Sequence, residues 1–217
     1  YDHETNFLIM ELMKTDLKKS DPTYYKSSKQ PQIVELEKYY YLTIQGQSAP
    51  EDQLFLEAIE AIYSVAYGIK FLCKAEDNDF VVPKMECFWY VAGGAENQKE
   101  FAKTPRNEWM WKINIRMPDF AEQNHYYRAV HHAKEKKSQL TNFDLVKFEL
   151  INEGLCAQAL HLGSYEEEGP TIQKLHEFIA SEGLAISGYH KEIYLSDPRR
   201  VAPEKLKTII RYQVSKP

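Results

Sequence analysis

The stretch QIVELEKYYYLTIQG, residues 32–46, is followed two residues later by APEDQLFLEAIEAIYSVAYGIKFL, residues 49–72. The first stretch is rich in β-branched and aromatic residues and ends at a glycine, a composition that predicts a β-strand. The second begins with proline and acids, which are typical of the first turn of a helix. Its apolar side chains then recur at helical intervals, which predicts an amphipathic helix. These side chains are Leu54, Phe55, Ala58, Ile62, Val65 and Ile69.

Two further strand-like stretches follow this helix, and the same order returns in the C-terminal half. In EWMWKINIRM, residues 108–117, apolar and polar side chains alternate, as in a half-buried strand. GPTIQKLHEFIASEG, residues 169–183, begins with Gly-Pro and stops at a glycine, as a short helix does. The other predicted strands are DFVVPKMECFWYV (79–91), DLVKFELINEGLCAQALHLG (144–163), SGYHKEIYLSD (187–197) and KLKTIIRYQV (205–214).

The recurrence of one βαββ unit predicts a tandem repeat with pseudo-twofold symmetry. The predicted fold class is α+β, with antiparallel sheets, helices on one side and a central ligand cleft. The whole chain, residues 1–217, is interpreted as one domain. Its predicted parts are an N-terminal extension (1–30), a first βαββ unit (31–118), a linking helix (119–140) and a second unit (141–217).

Composition and charge exclude several classes of function. The net charge of -5 and the pI near 5.9 argue against a nucleic-acid partner, which needs a concentrated basic face. No apolar run approaches the roughly 20 residues that span a bilayer, so no membrane partner is expected. Acids precede the brief apolar run in residues 1–19, the wrong order for a secretory signal, so a cytoplasmic location is expected.

The cysteines and histidines do not form a recognisable metal motif. Cys73, Cys87 and Cys156 are odd in number, widely spaced and set among apolar residues, which predicts buried reduced thiols. No HExxH pair occurs among the seven histidines. We therefore expect no metal and no cofactor; the oligomeric state stays open.

A glutamate followed by aromatic residues occurs after the helix in each half. Glu86 precedes Phe88, Trp89 and Tyr90, while Glu192 precedes Tyr194. A twofold axis would make the two glutamates equivalent, on two sides of one cleft. Side chains alternate along a strand, so Phe88 and Tyr90 are expected on the face of Glu86, and Tyr194 on the face of Glu192.

The chain resembles the GyrI-like small-molecule-binding proteins, whose tandem βαββ fold also forms the drug-binding part of some multidrug-responsive regulators. The resemblance extends from about residue 16 to residue 214. It is closest to the stand-alone branch that hydrolyses electrophilic cyclopropane-containing natural products. It rests on YYYLTIQGQ, AIEAIYSVAYGIKFL, MECFWY, WMWKINIRMPDF, EGLCAQALHLGSYEEE and KEIYLSDPRRVAPEKLKTIIR. The chain departs from the family pattern at Ser48, Cys87, Phe88, Tyr90 and Ser164, so the shape of the pocket stays open.

Taken by themselves, the residues fit a hydrolase with two carboxyl groups in an aromatic pocket. Aromatic faces bind planar, cationic or electrophilic organic molecules. Two acids held close together have pKa values that are driven apart, which leaves one as base and the other as acid. The predicted ligand-binding residues are Trp89, Tyr90, Trp109, Trp111, His161 and Tyr194.

The resemblance implies hydrolysis of a strained cyclopropane ring by water. We expect Glu192 to orient and deprotonate the water, and Glu86 to hold a second polar group or act as its acid partner. Tyr165 or His161 would donate a hydrogen bond to the developing oxyanion.

Other interpretations stay open at this stage. Each glutamate could be a solvated strand residue, at least one of Trp109 and Trp111 could fill the core, and His161 could be structural. The whole chain could sequester drugs or metabolites without catalysis. It could instead bind a protein partner, as gyrase-inhibiting relatives do, which would require an exposed apolar patch.

Overall fold

The computed structural model describes residues 14–94, 100–101 and 103–217. The helices are α1 (Leu17–Ser20), α2 (Pro22–Tyr25), α3 (Gln53–Ala75), α4 (Gln123–Lys136) and α5 (Gly169–Ser181). The strands are β1 (Gln32–Gln47), β2 (Glu86–Tyr90), β3 (Met110–Arg116), β4 (Lys147–Leu162), β5 (Ala185–Ile186), β6 (His190–Tyr194) and β7 (Lys207–Ser215). The prediction that the chain lacks a secretory signal concerns residues 1–19, and residues 1–13 of these lie outside the described residues.

The strands form one antiparallel sheet in the order β4-β1-β3-β2-β6-β7-β5. Strand β4 pairs with β1 along most of its length and with β7 from Cys156 to Leu162, so six strands close into a barrel-like sheet. The prediction of a mixed helix and antiparallel-sheet fold is confirmed. Closure was not predicted, because alternation within a strand does not reveal how many partners the strand has.

Helix α3 packs against the outward face of the barrel. Five of its six predicted core residues are buried, from Phe55 to Ile69, whereas Leu54 is 47% exposed. They share a core with Trp111, Ile113 and Ile115 of β3. On another part of the barrel, α5 packs on β4 and β7. These apolar contacts fix both helices on the outside of the sheet.

The inside of the barrel is unusually polar, and α2 inserts a tyrosine into it. The Tyr24 hydroxyl donates to Glu86 Oε2 at 2.6 Å and lies 2.7 Å from the Tyr41 hydroxyl. Lys191 Nζ donates to the Tyr24 oxygen at 2.9 Å and forms ion pairs with Glu86 and Glu153 at 2.7 and 2.5 Å. Because a buried charge is costly unless it is paired, Tyr24 and Lys191 are required to compensate both carboxylates.

Two buried arginines surround the same helix. Arg211 is fully buried and donates to the Tyr24 carbonyl at 2.6 Å and to Gln158. Arg116 pairs with Asp21 at 2.8 Å, and its guanidinium lies over the Tyr24 ring at 4.6 Å. The N-terminal segment that contains α2 therefore completes the interior of the barrel.

The three cysteines are buried free thiols, as predicted. Burial raises the pKa of Cys73 to about 11 and that of Cys156 to about 12, so these thiols keep their protons at neutral pH. In the described ranges no helix combines the length and hydropathy needed to cross a bilayer.

Replacing Tyr24 by Phe should destabilise the fold, because the buried Glu86, Tyr41 and Lys191 groups lose a shared partner. We expect a loss of about 1–3 kcal/mol in the free energy of unfolding, measured by urea titration. Tyr25→Phe is the matched control, since the buried Tyr25 hydroxyl has no hydrogen-bond partner among the described residues. Equal losses in the two variants would contradict this account of the barrel interior.

Candidate active site

A cavity of about 1880 Å³ lies between α3, the outward face of β2 and β6, and the start of α5. Its position follows from the pairing of β2 with β6, in which Cys87 lies opposite Glu192 and Trp89 lies opposite His190. Opposite residues point to the same face of a sheet. Outward-facing side chains of both strands are therefore directed to one groove.

Glu192 lies on β6 and lines this groove together with its neighbours on the same face, His190 and Tyr194. The Glu192 side chain is 12% exposed, and its Oε1 lies 3.0 Å from His190 Nε2. Tyr194 accepts a hydrogen bond from Trp89 Nε1 at 3.1 Å. Burial raises the pKa of Tyr194, and the charge of Glu192 raises it further. The prediction that Glu192 and Tyr194 lie on the same face of the strand is confirmed.

Glu168 is a second acid in the groove. It is the N-cap residue of α5, but its side chain does not cap the helix. The carboxyl group is 5% exposed and lies 3.8 Å from His190 Nε2. Burial raises the pKa of Glu168 far above its ordinary value, and so do the charge of Glu192 and hydrogen bonding to it. Two such acids share protons as a pair, and the burial of Glu168 beside Glu192 favours its protonated form.

Aromatic side chains form the walls of the groove. Trp109 stacks on Phe101 with ring centroids 4.4 Å apart and meets Trp89 edge-on at 6.0 Å. On α3, Tyr63, Tyr67 and Phe71 follow one another along one side of the groove. Ring surfaces of this kind accept flat organic molecules.

Tyr165 lies at the rim, 36% exposed, and its ring meets that of Tyr194 edge-on at 5.6 Å. Burial raises the pKa of Tyr165 to about 12, with Glu192 and Glu168 adding to the effect. Tyr165 therefore keeps its proton at neutral pH and is available as a hydrogen-bond donor.

Ligand atoms of Glu168, His190 and Glu192 lie within 4.8 Å of one another. Both ring nitrogens of His190 are already hydrogen-bonded, Nδ1 to the Tyr212 hydroxyl at 2.8 Å and Nε2 to Glu192. A metal ion would have to displace one of these bonds. The geometry fits a hydrogen-bonded acid cluster better than a metal centre, and the absence of a metal stays a prediction.

The expectation that Glu86 and Glu192 share a cleft is wrong. Glu86 lies opposite Ile193, whereas Glu192 lies opposite Cys87. Glu86 therefore points into the barrel, fully buried beside Lys191, while Glu192 points outward. The two motifs look equivalent in sequence, but the strand pairing offsets them by one residue, and a one-residue offset reverses the face.

Three predicted ligand-binding residues also lie outside the groove. Trp111 is 1% exposed and packs in the core, where a Cβ at Gly46 would lie 2.5 Å from its ring. Tyr90 stacks on Tyr189, at a smaller cavity of about 540 Å³ beside the barrel interior. His161 is buried, with Nδ1 3.0 Å from the Thr171 hydroxyl and Nε2 2.9 Å from the Ser164 carbonyl. Among the ligand-binding predictions, Trp89, Trp109 and Tyr194 do line the groove.

Sequence reasoning missed Glu168 and His190. Glu168 ends the run EEE before Gly169-Pro170, which looked like ordinary acids at a helix start. His190 precedes Glu192 by two residues, so strand alternation could have placed it on the same face. That spacing was the available signal.

A closed antiparallel barrel with external helices and an acid-bearing aromatic groove defines a small-molecule-binding protein. The chain matches the GyrI-like small molecule binding domain over residues 29–214, and it belongs to that family. None of the curated proteins shows significant similarity to it.

Two solved structures from Listeria innocua are similar over 93% of this chain and 100% of their own length. One is an uncharacterized conserved protein with 34% sequence identity and a TM-score of 0.86. The other is named a hydrolase and has 32% identity and a TM-score of 0.81. The C-terminal domain of EcmrR, at 14% identity and a TM-score of 0.54 over 87% of this chain and 98% of its own, shares the fold.

Replacing Glu168 by Gln should change how stability depends on pH. A raised carboxyl pKa means that the folded state holds the proton more tightly than the unfolded state. The contribution of Glu168 is therefore greatest below its ordinary value of 4.5 and is lost as the pH rises toward its folded value. As the pH rises from 5 to 8, the free energy of unfolding of the variant should therefore increase relative to that of the parent.

We expect that relative gain to be about 1–3 kcal/mol in the free energy of unfolding, from urea titrations at both pH values. Glu177→Gln serves as the control, because Glu177 is an exposed residue of the same helix. A difference between parent and E168Q that is the same at pH 5 and pH 8 would refute a raised pKa.

Proposed function

We propose that this protein hydrolyses small electrophilic molecules, and specifically cyclopropane-containing compounds, by carboxylate-assisted attack of water. The observation that carries the proposal is the buried Glu168–Glu192 pair at one end of an aromatic groove. Pairs of acids with separated pKa values are the usual means of general acid–base catalysis near neutral pH. Family membership and the hydrolase-named neighbour from Listeria innocua support the same class of activity.

The reaction proposed is the opening of a cyclopropane that is conjugated to a dienone. The water oxygen forms a bond to the strained CH₂ carbon, and the ring C–C bond breaks. The electron pair of that bond passes into the dienone, which becomes a phenolate. Glu192 accepts a proton from the water and then releases it to solvent, while the phenolate takes up a proton from solvent, so the net change is the addition of one water molecule.

The surrounding residues would supply binding and charge stabilisation. Trp89, Trp109 and Tyr194 would hold the ring system in the groove. The protonated Tyr165 hydroxyl would donate a hydrogen bond to the developing phenolate, a form of stabilisation that acts mainly in the transition state. Glu168 would keep Glu192 in place and hold the proton of the pair.

We also propose that the two halves are pseudo-twofold βαββ units with this groove at their junction. Two observations support the idea. The strand order β1-β3-β2 of the first half corresponds to β4-β7-β6 of the second. The first strands of the halves have 16 residues each.

Replacing Glu192 by Gln should abolish most turnover of a spirocyclopropyl cyclohexadienone, because the amide cannot accept the proton of the attacking water. We expect a loss of kcat/KM of at least about 100-fold, the usual scale of general acid–base catalysis. Mass spectrometry would follow the gain of one water. Glu204→Gln, at an exposed residue away from the groove, should retain activity.

The outcomes separate the candidate functions. A water-adduct product that forms equally well with E192Q removes Glu192 from the mechanism. Saturable binding of the probe with recovery of unchanged mass would instead support a protein that sequesters its ligand.

A further inference from the structure

His190 connects the acid pair of the groove to a residue that lies behind it, through its two ring nitrogens. Nε2 lies 3.0 Å from Glu192 Oε1, and Nδ1 lies 2.8 Å from the Tyr212 hydroxyl. Tyr212 belongs to β7 and is 3% exposed. It does not line the groove cavity, and its hydroxyl is connected to the groove through His190.

The direction of these hydrogen bonds follows from where the hydroxyl proton can go. Burial raises the pKa of Tyr212, and the charges of Glu192 and Glu168 raise it further, so the hydroxyl keeps its proton. Among the described residues, His190 Nδ1 is the hydrogen-bond partner of that hydroxyl. Tyr212 therefore donates to Nδ1, and the proton of a neutral imidazole must be on Nε2. The Nε2–H group then points at Glu192.

We propose that Tyr212 and His190 are positioning residues that select Glu192 as the ionised member of the acid pair, leaving the proton on Glu168. An N–H donor stabilises the carboxylate form of its partner. Glu192 has this donor at 3.0 Å, whereas Glu168 lies 3.8 Å from the same nitrogen. The asymmetry gives the two acids different roles, although they are neighbours in one groove. The catalytic consequence rests on the proposed hydrolase function; the hydrogen-bond pattern does not.

Both hydrogen bonds of His190 are satisfied by a ring that carries one proton, on Nε2. The side chain is 7% exposed, and an imidazolium would need an acceptor at both nitrogens. If Nδ1 donated to Tyr212, the tyrosine proton would lose its partner. The titratable groups around this cluster are Glu192 on β6, Glu166 and Glu168 before α5, Tyr212 on β7, His176 on α5, and Tyr165, Tyr194 and Cys87 near Glu192.

Nitrogen-15 NMR of the histidine rings tests the inference without any substrate. In the intact chain, with the His190 signals assigned by their loss in His190→Asn, we expect a neutral ring protonated at Nε2 from pH 6 to pH 8. Tyr212→Phe keeps the ring contact with His176 but removes the donor, so the Nε2–H form should no longer be fixed. An imidazolium or an Nδ1–H ring in the parent, or an unchanged ring in Y212F, would overturn the proposal.

Kinetics with the spirocyclopropyl cyclohexadienone provide the second test. Because the Glu192 carboxylate loses a fixed N–H donor in Y212F, the acid limb of the kcat/KM profile should move to higher pH. We expect kcat to fall about 10- to 100-fold, with KM unchanged. Tyr126→Phe is the control, since it also removes one partly buried tyrosine hydrogen bond, to the Val146 carbonyl.

The two tests separate the two proposals. A parent protein that leaves the probe intact contradicts the hydrolase function, and the ring tautomer still decides the role of Tyr212 and His190. An unchanged pH profile in an active Y212F variant contradicts the positioning role.

Discussion

The register between β2 and β6 is the constraint on which the rest of the molecule depends. With Cys87 opposite Glu192, every second side chain of both strands points to the groove and the others point into the barrel. A shift of one residue would exchange the two sets. It would place Lys191 in the groove and Glu192 among the charges of the interior. The site and the polar interior are therefore two consequences of one pairing.

The polar interior makes that register hard to change. Glu86 and Glu153 are compensated by Lys191, and Tyr24 connects all three groups. Breaking one member of a buried ion pair leaves an uncompensated charge, which is strongly destabilising. The interior network thus penalises any slip of β6, and it holds His190 and Glu192 in place on the opposite face. Residues that never contact a ligand fix the geometry of those that line the groove.

Local features of the fold were predictable from the sequence, and long-range features were not. The spacing of Phe55 to Ile69 located α3, and alternation located β3 and the shared face of Glu192 and Tyr194, because each pattern depends on neighbours in the chain. Equating Glu86 with Glu192 failed, because sequence motifs carry no information about which residues pair across two strands. Glu168 was missed for a similar reason: its burial depends on β6, which follows it by more than 20 residues.

The two halves of the chain contribute different kinds of residues to the groove. Glu168, His190, Glu192 and Tyr165 come from the second half, and the first half supplies Trp89, Trp109 and the aromatic side of α3. The residue opposite Glu192 is Cys87, a buried thiol whose pKa is raised by burial. An acidic residue at position 87 would add a like charge beside Glu192. A basic residue there would form an ion pair with Glu192 and take over the role of His190. Because Cys87 brings no charge to the position opposite Glu192, the hydrogen bond between His190 and this largely buried carboxyl group distinguishes it from Glu168.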